Sequence, residues 1–525
     1  MKAIEQTEFG IAISKYFIIP QRVITSIMGF LAIVTGYSQR VCLSMAITQM
    51  VVPKSAVRTI REDDIICPQD ADKPPMTGGD YEWTEEQQGR ILSFFYIGYL
   101  IGHIPGGMLG DYFGFKWVLA GGLLWSVITV FLTPPTVYLT EHIGLAILRI
   151  FTGLGQAVVF PNLSVMLSHW VPKHERGKLG ALIMGGGQVG TVLAFTLSGI
   201  ILHSLKWPMV FYIFGIIGLT WCAIFVVLCY SDPVTHPFIK PSEREYLVAE
   251  LGSHIERKVL PPTPWTAIFT SPKIYALLSA QIGHDWGFYI LITYLPKYYN
   301  DVLNINIKEN GFYATFPFIA MWISSIAHGA VADFLIKKEY MNITNVRKMM
   351  TSLGNYRTQI YEAIGSLTLP IAFLAAVGPA IFLILGSYAG CHKALVITYF
   401  TCSLLTMGGY YAGMKLTPID LSPNYSGTIM AISNGTGALF GVVSPYLVGV
   451  LTPNATLKEW RVVFWLAFAV LILTAVAYCI WASGEVQEWN DPDVYYENKA
   501  ARKEAKRLAK EAKKQAELEA QKAQN

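Results

Sequence analysis

Charged residues are scarce in this 525-residue sequence: only 14% of the residues are Asp, Glu, Lys or Arg, whereas 53% are hydrophobic. A soluble domain carries roughly 25% charged residues, so the composition argues against a soluble globular protein. The formal net charge is only +4, which gives no reason to expect a nucleic-acid partner. The seven cysteines occur singly, no pair has metal-ligand spacing, and no disulfide framework is visible. Zinc-protease, nucleophile-elbow and P-loop patterns are missing too, so we predict neither an enzyme nor a metal site.

Apolar runs of about 20 residues recur along nearly the whole chain. They predict an all-α membrane protein with about twelve transmembrane helices in two six-helix bundles. A hydrophilic segment rich in proline and charge separates the two groups. The predicted organisation is an N-terminus (1–20), a first bundle (21–230), a linker (231–271), a second bundle (272–483) and a charged tail (484–525).

The distribution of Lys and Arg predicts the orientation of the chain. Basic loops at 171–178 and 337–348 lie on the same side as the linker and the Lys-rich tail. Because short basic loops favour the cytosol, we predict that both termini are cytosolic. Asn454, in an N-A-T triplet on the other side, is then a candidate glycosylation site, whereas the triplet at Asn342 faces the cytosol.

The two halves contain an internal echo. G-M-L-G-D at 107–111 follows the second apolar run, and G-A-V-A-D at 329–333 follows the eighth. The same short turn ending in aspartate at the same place in both halves predicts parallel repeats. A solute site then lies between the repeats near the middle of the membrane.

Five longer blocks of the sequence are GMLGDYFGFKW (107–117), EWTEEQQGRILSFFYIGYLIGHIPGG (82–107), LRIFTGLGQAVVFPNLSVMLSHWVPKHERGKL (148–179), HDWGFYILITYLPKYY (284–299) and DLSPNYSGTIMAISNGTGAL (420–439). These blocks resemble the major facilitator superfamily, and within it the anion–cation symporters: sodium/phosphate cotransporters, sialin and the vesicular glutamate transporters. Within that family the sequence most resembles the insect inorganic phosphate cotransporters. The resemblance implies the two-bundle fold, with anion transport by alternating access coupled to Na⁺ or H⁺, and no other cofactor.

The sequence departs from this family at several positions. Gln156 stands where proton-coupled members carry a glutamate, and a glutamine cannot take up a proton there. His284 replaces the arginine of the glutamate transporters, and Thr417-Pro418 replaces their Asn-His pair. The interval containing residues 355–374 is longer than in relatives, and we hypothesise a translated intron or an unusual isoform there.

Arg40 lies deep in the first apolar run, where a guanidinium costs ~2.5–3.5 kcal/mol on insertion scales and normally faces protein or water. Tyr37, Arg40 and Ser44 follow each other at helical spacing and can share one face. With Arg149 and Lys415 they form the candidate anion-binding set, because a guanidinium donates bidentately and never deprotonates. The alternatives are that these cations snorkel to water or orient their helices.

His284, Asp285 and Gln156 are the candidate residues for the coupling ion. Asp285 is the acid best placed to ligate Na⁺ or to take up a proton, although a structural hydrogen bond is the alternative. Asp111, Asp333 and Arg176 are the candidate gating residues, with Arg176 as the expected partner of Asp111; simple helix capping is the alternative.

Together these expectations describe a symporter of inorganic phosphate or a small organic anion, acting as a monomeric unit in the lipid bilayer. The alternatives are a proton-coupled exporter of an acidic sugar or amino acid, a facilitative anion channel and a transporter-like receptor. Either the plasma membrane or an endolysosomal or vesicular membrane fits the sequence.

Overall fold

The structure, a computed structural model, describes residues 19–51, 79–83, 85–251, 261–303, 305, 307–351, 377–452 and 456–498, with 500–501, 504–505, 507–508 and 511 in the tail. Within these ranges the chain is helical apart from turns and one isolated β-bridge. The candidate glycosylation site Asn454 and the segment 355–374 lie outside the described residues.

The helices follow in chain order as α1 (Gln21–Met50), α2 (Glu85–Phe113), α3 (Phe115–Ala157), α4 (Val159–Trp170), α5 (Arg176–Met184), α6 (Gly186–Ser204), α7 (Pro208–Leu228), α8 (Pro241–Leu251), α9 (Trp265–Thr270), α10 (Pro272–Asp301), α11 (Ile307–Lys337), α12 (Ile343–Thr351), α13 (Val377–Tyr388), α14 (Lys393–Met407), α15 (Gly409–Ala412), α16 (Thr417–Leu421), α17 (Ser426–Leu451) and α18 (Leu457–Trp481).

Seven segments of the described chain are long and apolar enough to cross a bilayer. One of them, Phe115–Trp170, has 56 residues. At ~1.5 Å per residue it would be more than twice as long as the ~30 Å hydrocarbon core is thick. The backbone of Glu141 leaves the helical conformation inside this segment, with φ 49°. The segment therefore holds two crossings that meet at Glu141, and the first half has six.

The second half supplies a matching series. The segments α10, α11, α17 and α18 are each at least 25 residues long. The short helices α12 and α13 both pack against α18, and α14 to α16 follow one another through a break at Gly413. Across the two halves, α2 packs against α17 and α5 packs against α11, so equivalent helices form the two main contacts between the bundles.

The linker is folded onto the first bundle. Glu243 of α8 accepts hydrogen bonds from the backbone N–H groups of Gln21 (2.9 Å) and Arg22 (3.0 Å), which caps α1. Burial lowers the pKa of His236 to about 4, so this linker imidazole is neutral at pH 7. We call the end of the bundles that carries the linker the linker end, and the other the opposite end.

At the opposite end, between α13 and α14, Cys391 is disulfide-bonded. The sequence showed no disulfide framework, because single cysteines scattered along a long chain give no pairing pattern.

Candidate functional site

A small cavity lies between the two bundles about halfway along their length. Its walls are aromatic, and its polar groups come almost entirely from the second bundle. The lining side chains are Tyr37, Tyr99, Phe160, His284, Asp285, Phe288, Tyr289, Tyr411, Lys415 and Asn434. Of the sequence-predicted site residues, Tyr37, His284, Asp285 and Lys415 thus surround one space.

Arg40 lies directly behind the aromatic wall of this cavity. It is buried, and its guanidinium carbon is 4.5 Å from the ring centroid of Tyr96 and 4.7 Å from that of Phe95. The rings of Tyr37, Tyr99 and Tyr289, all of which line the cavity, lie at 5.4, 5.5 and 5.9 Å. Ring faces attract a cation most strongly where water is excluded. The arginine that is costly at membrane depth is therefore held in an aromatic cage.

Arg149 lies one layer further back. Its Nη2 donates to the backbone carbonyl of Arg40 at 3.3 Å, and its guanidinium carbon is 4.8 Å from the Phe95 ring centroid. Its buried Nε has no hydrogen-bond partner among the described residues. Arg149 supports the backbone at Arg40 and does not line the cavity.

Lys415 reaches the cavity because the tenth crossing, which is formed by α14 to α16, is broken there. Gly413 has φ −99° and ψ −103°, and the residues Met414–Leu416 form a single 3₁₀ turn. The buried Nζ donates to Oδ1 of Asn434 at 2.9 Å and to Oε1 of Gln281 at 3.0 Å. An ammonium has three donors, so these bonds occupy two and leave one for the cavity.

His284 and Asp285 form a hydrogen-bonded pair on α10. The distance between His284 Nδ1 and Asp285 Oδ1 is 2.7 Å. Nε2 of Gln281, one turn earlier, donates to Oδ2 of Asp285 at 2.6 Å. Gly437 of α17 packs against this carboxylate, and a Cβ at that position would collide with Oδ2. Nε2 of His284 is buried without a partner among the described residues.

Two predicted site residues lie away from the cavity. Nε2 of Gln156 donates to Oγ of Ser126 at 2.9 Å, and Ser126 donates to Oε1 of Gln39 at 2.9 Å, inside the first bundle. Ser44 lies one turn beyond Arg40 and its side chain is exposed. Ser44 does not line the cavity in this state, and its place in the anion-binding set stays a prediction.

The two echoed aspartates meet the opposite bundle at the linker end. Oδ1 of Asp111 accepts from the backbone N–H of Gly427 (2.9 Å), and Oδ2 accepts from the N–H and hydroxyl of Thr428 (2.7 and 2.6 Å). These groups form the first turn of α17, so Asp111 caps a helix of the other bundle. Gly107, one turn earlier, lies so close to Gly427 that a Cβ would strike its carbonyl. We call this contact the first latch.

Asp333 repeats the arrangement from the other side. Its Oδ1 and Oδ2 accept from the backbone N–H groups of Gly177 (2.7 Å) and Lys178 (2.6 Å), in the first turn of α5. A Cβ on Gly329 would likewise strike the carbonyl of Gly177. We call this contact the second latch. The echoed pattern thus encodes a glycine for a close helix crossing and an aspartate, one turn later, for the cap.

Arg176 has a different partner from the expected one. Its Nη1 lies 4.0 Å from Oδ1 of Asp420, and its Nε donates to the carbonyl of Val171 at 3.1 Å. Arg347 binds the other oxygen of Asp420 at 2.6 Å. Asp111 is occupied by the backbone of α17, so its expected pairing with Arg176 is wrong.

The linker also touches both bundles beside the first latch. The carbonyl of Pro261 accepts from the hydroxyl of Tyr112 (3.1 Å), next to Asp111, and from that of Tyr425 (2.9 Å), just before α17. The N–H of Thr263 donates back to the Tyr112 hydroxyl at 3.0 Å.

Sequence reasoning missed Gln281, Asn434, Gly437 and Asp420. Gln281 lies one turn before Asp285 at helical spacing, and this signal could have found it. The other three lie on helices far along the chain, and no local pattern marks them.

The comparisons with known proteins agree with this architecture. The family model of the Major Facilitator Superfamily matches residues 29–437. The chain belongs to this superfamily. Its relatives include the "Putative inorganic phosphate cotransporter" of Drosophila ananassae, 33% identical over 89% of this chain and 93% of that protein. Human sialin is 33% identical over 88% and 90%, and bovine vesicular glutamate transporter 1 is 30% identical over 92% and 80%.

Solved structures show the same fold. The proton:xylose symporter XylE, bound to 6-bromo-6-deoxy-D-glucose, superposes with a TM-score of 0.62 and covers 90% of this chain and 98% of its own, at 14% identity. The predicted all-α, two-bundle membrane fold is confirmed, and so is the family. The protein is a multi-pass membrane transporter related to carriers of small anionic solutes, and not an enzyme.

Proposed function

We propose that this transporter is a symporter that carries inorganic phosphate or a small organic anion together with Na⁺ or H⁺. The observation that carries the proposal is the cavity between the bundles, with Lys415 in its lining and Arg40 behind its rings. Fixed cations in a desolvated cavity attract an anion more strongly than they would in water. Lys415 has a free donor for the anion, and the tyrosine hydroxyls can orient it.

Arg40 acts on the anion through the aromatic wall. Its charge is always present and is only one ring away from the cavity. Arg149 adds a second permanent charge behind it. Asp285 is the single carboxylate among the described lining residues, so these groups carry two positive charges in excess when it is ionised. The imbalance favours an anion, and a multiply charged anion most strongly.

The coupling ion is assigned to the His284–Asp285 pair. A carboxylate can bind Na⁺ or take up a proton, and the imidazole beside it responds to either. Gln156 has no place in this step, because it lies in a separate polar network.

Alternating access is assigned to the two latches. Both join the bundles at the linker end, so the state shown is closed there. Releasing them lets the halves rock about the central site. The basic loops and the disulfide at Cys391 support a cytosolic linker end with both termini in the cytosol, because disulfides persist on the oxidising side of a membrane. The plasma membrane and an endolysosomal membrane both fit this orientation.

The test is uptake of labelled phosphate and a panel of organic anions into proteoliposomes, with and without a Na⁺ or H⁺ gradient. We expect saturable, gradient-dependent uptake, abolished in Arg40→Ala at near-normal surface abundance. Arg461→Ala is the matched control, because its guanidinium also lies over a ring, that of Tyr388 at 4.5 Å, but far from the cavity. Wild-type uptake by Arg40→Ala would contradict the proposal.

A second candidate is proton-coupled export of an organic anion. The human sialin match and the titratable His284–Asp285 pair favour it. This candidate would be supported by uptake that depends on a pH gradient but not on Na⁺, and that is faster for an organic anion than for phosphate. Anion current far above transporter turnover would instead indicate a channel.

A further inference from the structure

We propose that Gln281 is a positioning residue that couples the anion at Lys415 to the cation at Asp285. The inference rests on the proposed function and extends it to a residue of α10 that does not line the cavity. Gln281 is completely buried between two groups of opposite charge.

The two ends of the Gln281 amide serve different charges. Its carbonyl accepts from Nζ of Lys415 at 3.0 Å, and its NH₂ group donates to Oδ2 of Asp285 at 2.6 Å. The reverse orientation would place an NH₂ against an ammonium and a carbonyl against a carboxylate. The amide orientation is therefore fixed as long as both groups are charged. The hydroxyl of Ser433 also donates to this carbonyl, at 3.2 Å, which is the third hydrogen bond of the amide.

This arrangement keeps Lys415 and Asp285 from forming a direct ion pair. Oppositely charged side chains buried in a membrane normally pair with each other. A direct pair would consume the donor that the anion needs and the carboxylate that the cation needs. With the amide between them, each charge is satisfied but still has capacity for its own ligand.

The coupling follows from charge. A proton or Na⁺ on Asp285 cancels the negative charge closest to Lys415, so the cavity attracts an anion more strongly. The bound anion in turn stabilises the cation on Asp285, because coupling between two ligands is reciprocal. Binding the cation together with a singly charged anion leaves the net charge of the buried cluster unchanged, and with a doubly charged anion it lowers the excess positive charge by one.

Other groups that act on Asp285 surround it on several helices. His284 lies beside it on α10 and Lys415 comes from the broken tenth crossing. Further titratable groups of the described chain that interact electrostatically with Asp285 are Tyr37, Tyr99, His103, Tyr289 and Tyr411. Gln281 is the described side chain that joins Asp285 to Lys415 by hydrogen bonds at both ends.

The experiment measures the KM of the transported anion in full-length protein in proteoliposomes, at low and at saturating concentration of the coupling cation. We expect the wild-type KM to fall about 5-fold or more as the cation saturates, the lower range of allosteric coupling. In Gln281→Leu, which keeps the volume and removes both bonds, we expect this dependence to weaken clearly, because only the Coulomb interaction between Asp285 and Lys415 remains. A merely structural defect would lower the amount of folded protein and would leave the dependence of KM on the cation intact.

A second pair of variants keeps the proposal testable if Gln281→Leu does not fold. Gly437→Ala would place a Cβ against the Asp285 carboxylate and 3.0 Å from Nε2 of Gln281, so it should weaken the coupling while the Gln281 side chain itself is kept. Gly435→Ala, two residues earlier on the same helix, makes only ordinary contacts of 3.7 and 3.8 Å and should behave as wild type. Coupling of wild-type size in Gln281→Leu, or in Gly437→Ala if only that variant folds, would overturn the inference. Absence of anion uptake by the wild type would instead contradict the proposed function.

Discussion

The two latches use the same backbone geometry, but the first has more hydrogen bonds than the second. In each, an aspartate one turn after a glycine caps the first turn of a helix in the other bundle. Asp111 receives a third hydrogen bond, from the hydroxyl of Thr428, where the second latch has the exposed side chain of Lys178. Among the described residues, only the first latch is also bridged by the linker, through Pro261.

The comparison separates the residues that both repeats share from the contacts that are found in only one half. The glycine and the aspartate appear in both halves, so they are the parts needed to join a helix to a helix end of the opposite bundle. The hydroxyl and the linker contact belong to one half alone. If both latches hold the linker end closed, opening should be limited mainly by the first.

Removing the aspartates should have the largest effect and would test this ranking directly. Each hydrogen bond to a charged group contributes ~1.5–3 kcal/mol, so the loss of three bonds in Asp111→Ala should shift the open-to-closed equilibrium by about 1,000-fold or more. Asp333→Ala should shift the same equilibrium about tenfold less than Asp111→Ala does, because Asp333 accepts two hydrogen bonds and Asp111 accepts three. Pulsed electron resonance between spin labels at positions 173 and 485 reports the opening of the linker end.

Asp232→Ala provides the control for both variants. Asp232 also lies at the linker end, but it pairs with His169 of the first bundle, at 2.8 Å, and does not cross to the second. It should leave the label distance unchanged. A larger shift in Asp333→Ala than in Asp111→Ala would reverse the ranking.

Much of this arrangement could be predicted from the sequence, and the reasons for the failures are physical. Apolar runs of bilayer length fixed the fold class, and the echo at 107–111 and 329–333 indicated equivalent places in two repeats. Helical spacing tells which side chains share a face, but not which helix covers that face. Hence the rings of Phe95, Tyr96 and Tyr289 around Arg40 were not anticipated. The predicted partner of Arg176 was wrong for the same reason.

A middle-sized effect should come from making the two latches equal. Thr428→Val keeps the shape of the side chain and removes the hydroxyl that donates to Asp111 at 2.6 Å. The loss of one charge-assisted bond should move the equilibrium about tenfold toward the open state. In the Thr428→Val background, Asp333→Ala and Asp111→Ala should then change the distance between the same two spin labels by equal amounts.

Thr436→Val is the matched control on the same helix. Its hydroxyl donates to the carbonyl of Ile432 within α17, at 2.9 Å, and makes no contact across the bundles. An unchanged equilibrium in Thr428→Val would show that the hydroxyl adds nothing to the first latch. The difference between the latches would then have to come from the linker alone.

Of the contacts in the first latch, the contact with the linker should contribute least to the stability of the closed state. Tyr425→Phe removes one neutral hydrogen bond, to the carbonyl of Pro261, and such a bond contributes a net ~0.5–1.5 kcal/mol. We expect a shift of about 2- to 10-fold toward the open state in the same measurement. Tyr275→Phe loses an equivalent bond, to the carbonyl of Phe269 at 2.8 Å, but within the second half of the chain. Since that bond does not join the bundles, its loss should leave the open-to-closed equilibrium unchanged. Equal shifts of the equilibrium in Tyr425→Phe and Tyr275→Phe would mean that the linker does not stabilise the first latch.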